Sequence, residues 1–319
     1  MQMDRLSRHR VLAVLMAGLL WLCGATLGFA KGGGENRTTT NAQQTLSVFL
    51  SILPQAYFAE RIGGERVRVE VLVKPGQDPH TFEPTPQQMA RLAEADAFLR
   101  IGVEFENTLM PRIQSTMKDL LVVDCRQGIR LRRMDGHAHD EDEQEAEEQA
   151  EEHESGQEGS DPHIWLSVRN AIRIAATMHQ SFLRMDPAGK ELYDRGYGQL
   201  IDELQSLDRR IAGILAAVKG KPFFVFHPSF GYFADDYGLE QIAVETGGSE
   251  PSARQLARLI EQARGSGVRV IFVQPQFSRK SAETVAAEIG GAVIPIDPLA
   301  RDYIRNLEQM ARAVEEGLR

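Results

Sequence analysis

A chain of 319 residues exceeds one small domain, and the usual size of roughly 100–200 residues per domain predicts two. Its 42% hydrophobic and 25% charged residues are ordinary for a soluble globular protein, and no cluster of Lys and Arg suggests a nucleic-acid-binding face. The formal net charge of −9 is local: twelve Asp or Glu and no Lys or Arg stand between Asp135 and Glu158, so the rest is close to neutral.

Arg5, Arg8 and Arg10 precede an apolar run over 11–30, and Gly28 and Ala30 are small residues suited to a cleavage site. This is the layout of a secretory signal peptide over 1–30, which predicts a periplasmic protein. The run is longer than usual, which leaves an uncleaved membrane tether open. A lipid anchor on Cys23 is disfavoured by the bulky Leu22 before it. Residues 31–45, rich in Gly, Thr, Asn and Gln, read as a flexible tether. One thiol then remains, Cys125, so no internal disulfide is expected. The apolar stretch before it predicts a core position.

Strand-like runs at 46–53, 67–73, 98–101 and 120–123 alternate with helical patterns at 54–62 and 85–95. Thr85, Pro86 and Gln88 have the spacing of a helix N-cap, first turn and capping box. The acidic insert, 135–160, has no core-forming residues and is expected to be disordered. A helix over 168–183 follows. Asp186-Pro187 then opens the longest helical pattern, with Leu200, Leu204, Leu207, Ile211, Leu215 and Val218 forming one apolar stripe. Strands at 223–226, 268–273 and 292–296 alternate with helices at 252–264, 278–289 and 302–318, the first of these opened by a Ser252/Gln255 capping box. The expected fold is α/β: two lobes, each with a mostly parallel sheet flanked by helices, joined by one long spine helix. The boundaries are 46–185 for the N-terminal lobe, 186–220 for the linking helix and 221–319 for the C-terminal lobe.

Of eight histidines, His9 lies in the signal region and His179 in a helical pattern. His80 and His163 each end an Asp-Pro-His tripeptide, and His227 precedes Pro228. Proline keeps the residue before it extended, so Asp-Pro presents the histidine from a braced loop. His80, His227 and Asp297 all follow predicted strands, at the sheet edge where parallel α/β proteins bind ligands. Three imidazoles and a carboxylate suit Zn²⁺. A lone histidine at a strand end is more often a structural hydrogen-bonding residue, and the shared placement of the three raises the metal reading. His137, His139 and His153, set among carboxylates in the insert, form a weaker cation attractor beside His163.

Five segments carry a family resemblance: Pro75-Gly76-Gln77-Asp78-Pro79-His80-Thr81-Phe82-Glu83-Pro84; Asp161-Pro162-His163-Ile164-Trp165-Leu166; Phe226-His227-Pro228-Ser229-Phe230-Gly231-Tyr232-Phe233; Gln274-Pro275-Gln276-Phe277; and Ile296-Asp297-Pro298-Leu299. From about Leu46 onward the chain resembles the cluster A-I metal-binding proteins of ABC importers, in particular their zinc-type members. The resemblance implies a monomeric, non-enzymatic carrier that delivers Zn²⁺ to a transmembrane permease. His80 and His163 from the first lobe and His227 from the second would be ligands, with Asp297 as a fourth found in some members. Manganese-type members carry a carboxylate at the place of His227, so a manganese or iron carrier is the nearer alternative. An exported zinc hydrolase is the more distant one; Glu83 is the nearest candidate base. Gln274 departs from the Glu-Pro-Gln-Phe of many zinc-type members, and the insert is poor in histidine beside the richest examples.

Overall fold

The computed structural model describes residues 45–134, 159–245, 252–277 and 279–319. The expected signal peptide, the tether up to residue 44 and the insert from 135 to 158, with His137, His139 and His153, lie outside the described residues. Among the described residues, no helix is long and apolar enough to cross a membrane.

The first sheet consists of β1 (Leu46–Leu50), β2 (Val67–Val71), β3 (Ala97–Arg100) and β4 (Leu121–Asp124), all parallel in the order β2-β1-β3-β4. The second consists of β5 (Pro222–Val225), β6 (Glu240–Ala243), β7 (Val270–Val273) and β8 (Ala292–Pro295), also parallel, in the order β6-β5-β7-β8. Parallel strands require crossover connections, and helices supply them. These are α1 (Leu53–Gly63), α2 (Pro86–Ala93) and α3 (Phe105–Thr116) in the first half, and α6 (Gly231–Tyr237), α7 (Ala253–Gly265) and α8 (Arg279–Glu288) in the second. Between the sheets in sequence lie α4 (Val168–Met185) and α5 (Lys190–Leu215), and α9 (Tyr303–Leu318) closes the chain.

The sequence expectation of two parallel sheets and a spine helix holds. Both capping boxes form: Thr85 Oγ1 accepts from Gln88 N at 3.2 Å, and Ser252 Oγ from Gln255 N at 3.3 Å. Cys125 is fully buried. Three elements escape the sequence reading. Helix α3 contains Pro111, α6 has only seven residues, and β6 is a half-exposed edge strand beginning Glu-Gln.

Helix α5 buries its stripe of Leu200, Leu204, Leu207, Ile211 and Leu215 against α1, α4 and α9. It thereby makes one apolar cluster continuous from Phe98 of the first sheet to Phe272 of the second. In β7 the period-two alternation of a strand sends Val270 and Phe272 into that cluster and Ile271 and Val273 into a smaller one on the sheet's other face. The start of the spine is pinned by Asp186, whose carboxylate accepts from Arg66 at 2.7 and 2.9 Å and from Tyr193 Oη at 2.7 Å.

Helices α1 and α5 approach closely at Gly196. A Cβ there would lie 2.4 Å from Arg61 O and 2.8 Å from Ile62 O, both backbone atoms that have little room to yield. Gly196→Ala is therefore expected to cost about 1–3 kcal/mol by overpacking despite the helix propensity of alanine. Calorimetric melting should show a midpoint several degrees lower, whereas Gly198→Ala, which meets nothing within 4 Å, should not lower it.

Candidate metal centre

The three loop histidines meet in space. His80 stands in the loop after β2, His163 just before a 3-10 turn at Ile164–Leu166, and His227 just after β5. Their ring centroids are 4.5 Å (His80–His227), 5.2 Å (His163–His227) and 5.4 Å (His80–His163) apart. One ring nitrogen from each lies within 4.8 Å of the others. Tetrahedral zinc with Zn–N of about 2.0–2.1 Å would require nitrogens about 3.3 Å apart, a small inward shift.

Each imidazole is oriented by its own carboxylate. His80 Nδ1 bonds Glu104, His163 Nδ1 lies 2.8 Å from Asp161 Oδ1, and His227 Nδ1 lies 3.2 Å from Glu245 Oε2. A carboxylate partner on Nδ1 makes that nitrogen the donor and leaves the Nε2 lone pair free for a cation. His227 Nε2 is buried with no hydrogen-bond partner, an orphan that a buried polar atom rarely remains without a ligand.

The loops are braced where the sequence places proline and Asp. Asp78 Oδ1 accepts from His80 N at 3.0 Å, and Asp161 Oδ1 accepts from His163 N at 2.9 Å. Gln274, fully buried, clamps the peptide of His227: its Nε2 donates to His227 O at 2.7 Å and its Oε1 accepts from His227 N at 3.3 Å. A carboxylate could not donate the first of these, so the neutral amide at this position has a structural use. Phe277 stacks on the His227 ring at 4.6 Å.

Asp297 stands apart from the trio. Its Oδ1 accepts from Gln276 Nε2 at 2.9 Å and from Leu299 N at 3.0 Å. It reaches the site through Gln276, which lines a cavity of about 10 Å³ together with His80, His163 and Trp165. That volume suits a single ion or water. His179 lies in α4, partly buried, bonded to Asp194 and stacked on Tyr197 away from the trio.

The electrostatics separate the three rings. Burial drives the His163 imidazole well below the usual histidine range, helped by His227 and His80 nearby. Burial also opposes a proton on His80, but Glu104, bonded to it, outweighs that and raises it. Glu104 is lowered in return: burial works against its charge, and His80 and the other two imidazoles overcome the cost. Burial raises the Asp161 carboxyl to about 6, against the pull of the His163 amide and Arg132.

Glu104 and Glu245 are functional residues that the sequence reading missed. Neither carries a local motif; they lie 24 and 18 residues from their histidines and meet them only through the fold. Glu245→Gln keeps the shape and removes the charge behind His227. It is expected to weaken metal affinity by about 10-fold to 100-fold with the melting curve of the metal-free protein unchanged, as read by isothermal titration and circular dichroism.

Residues 48–317 match the family described as ZnuA, zinc-uptake complex component A, periplasmic. The chain is 28% identical over 291 residues to the zinc-binding lipoprotein AdcA of Streptococcus pneumoniae, covering 86% of this chain and 56% of that protein. It thus spans about half the length of the first curated relatives it matches. With the high-affinity zinc uptake system protein ZnuA of Bacillus subtilis it shares 30% identity over 278 residues, covering 85% of this chain and 82% of the relative. A crystal structure of ZnuA superposes with a TM-score of 0.77 at 37% identity, covering 86% of this chain and all of the other. The chain belongs to the ZnuA family, the periplasmic component A of zinc-uptake complexes.

Proposed function

We propose that the protein is an extracytoplasmic carrier that binds one Zn²⁺ through His80, His163 and His227 and passes it to the permease of an ABC importer. The observation that carries this reading is the set of three imidazoles, each bonded at one nitrogen to a carboxylate, around the orphaned Nε2 of His227. An all-nitrogen set favours borderline Zn²⁺ over Mn²⁺, which prefers oxygen. The fourth position falls to Asp297, once turned from Gln276, or to water. The named carboxylates support a carrier more than a hydrolase, since each is engaged in holding an imidazole. With this reading go residues 1–30 as an export signal, 31–45 as a tether, the spine over 186–220 as the joint between lobes, and a monomeric state. Residues 135–158, with His137, His139 and His153, serve to raise the local cation concentration.

Calorimetric titration of metal-stripped residues 31–319 with Zn²⁺ and Mn²⁺ tests the assignment. One-to-one zinc binding, tighter than manganese, should fall by more than about 100-fold in His227→Ala. Deleting 136–159 should cost far less. Tighter manganese binding, or zinc binding indifferent to His227, overturns the metal or the site.

Protons compete with the metal at His80. Glu104 holds His80 above the usual histidine range despite its burial, so the ring is neutral at high pH and becomes charged as pH falls through its raised transition. Zinc affinity should be flat at high pH and fall by about tenfold per pH unit as pH drops through the His80 transition, one proton being displaced. Burial holds His163 well below the usual histidine range, so it competes with protons at lower pH than His80 does. Apparent affinities measured between about pH 7.5 and 5 should show the fall, and His80→Gln should flatten it. Constant affinity in the unmodified protein contradicts the assignment.

A further inference from the structure

Away from the imidazoles, a second concavity of about 640 Å³ lies between the segment 128–133 and α4 on one side and α6 on the other. Five arginines line it, Arg130, Arg132, Arg133, Arg169 and Arg173, against the carboxylates Asp235 and Asp236. Arg169 lies 3.3 Å from Asp236, and Arg132 lies 3.2 Å from Asp235. Arg130, Arg133 and Arg173 are exposed and have no carboxylate partner among the described residues. The groove therefore holds an excess of guanidinium groups, whose planar forks match carboxylates in pairs.

Its back wall leads to the metal centre. Arg132 Nη1 lies 3.3 Å from Asp161 Oδ2, and Asp161 Oδ1 holds His163 Nδ1 at 2.8 Å. Arg132 N donates to Tyr232 Oη at 3.0 Å, and Tyr232 Oη donates to Asp161 O at 3.0 Å. The guanidinium passes directly over Gly231: a Cβ there would lie 1.2 Å from Arg132 Nη1. The glycine gives Arg132 a path between the two halves, so one side chain faces the groove, pairs with Asp235 and supports a metal-binding histidine.

We propose that this groove docks a carboxylate-rich polypeptide segment of the protein that accepts the metal, and that docking draws Arg132 away from Asp161 and loosens His163. The proposal rests on the zinc-carrier reading above. A polypeptide fits better than a phosphate-bearing membrane surface for two reasons. The site is a concavity that a flat bilayer cannot fill, and Asp235 and Asp236 interrupt the positive lining, so that an occupant whose carboxylates swing on separate flexible side chains can turn them away from like charge.

A fluorescent twelve-residue poly-L-glutamate peptide and the zinc-loaded full chain test it. Fluorescence anisotropy should show binding that weakens as salt rises and drops at least tenfold in the triple variant R130E/R133E/R173E. These exposed side chains belong to neither the metal centre nor the core, and circular dichroism checks that the variant is folded. The peptide should also speed zinc transfer to a colorimetric chelator several-fold in the unmodified chain and leave the variant's rate unchanged. Absent or equal peptide binding, or binding of polyphosphate in place of polyglutamate, overturns the docking assignment. So does binding that appears only after residues 136–158 are removed, which assigns the groove to the chain's own acidic stretch. Peptide binding with an unchanged zinc transfer rate overturns the coupling. Zinc titration of the same samples separates these outcomes from failure of the carrier reading, which shows as weak zinc binding with peptide binding intact.

Discussion

Three imidazoles packed with ring centroids about 5 Å apart would repel one another as cations, and the architecture around them answers that constraint. Each ring is given a carboxylate partner, which fixes its orientation and directs a lone pair toward the shared centre. Three carboxylates brought near the same point repel one another unless something positive is between them. The metal-free arrangement is thus balanced between crowded acids and crowded bases, and a divalent cation relieves both.

The parallel sheets bring these groups together. Parallel strands all end at one edge, so loops distant in sequence converge there. His80 follows β2, Glu104 follows β3, His227 follows β5, Glu245 follows β6 and Gln274 follows β7. The same edge was legible in the sequence for the residues braced by proline, because Asp-Pro-His and His-Pro leave a local trace. The spine helix was legible for a similar reason: its stripe repeats over many turns. Helix α6 and strand β6 were not, because seven residues make too short a period to stand out and a half-exposed edge strand has little apolar alternation. Glu104 and Glu245 were hidden because tertiary structure alone defines their partnership with histidine.

Gln274 shows how a departure from an expected pattern is absorbed. An amide presents a donor and an acceptor side by side, the complement of a backbone N–H and C=O. By pairing with both groups of the same residue, Gln274 fixes the peptide of His227 at the end of β5, where the ladder no longer holds it. The residue contributes rigidity to the base of a ligand while adding no charge to the cavity.

The segment bearing His163 precedes the spine in sequence, yet its bonds run to the other half of the molecule. Trp165 Nε1 donates to Pro298 O at 2.8 Å, Tyr303 Oη donates to Trp165 O at 2.6 Å, and Ser167 Oγ donates to Asp236 at 2.6 Å. The chain beyond His163 continues into α4, which packs on α1 and α5, so this histidine is tied to both halves. A ligand anchored on two sides registers any relative movement of the halves as a change in its own position.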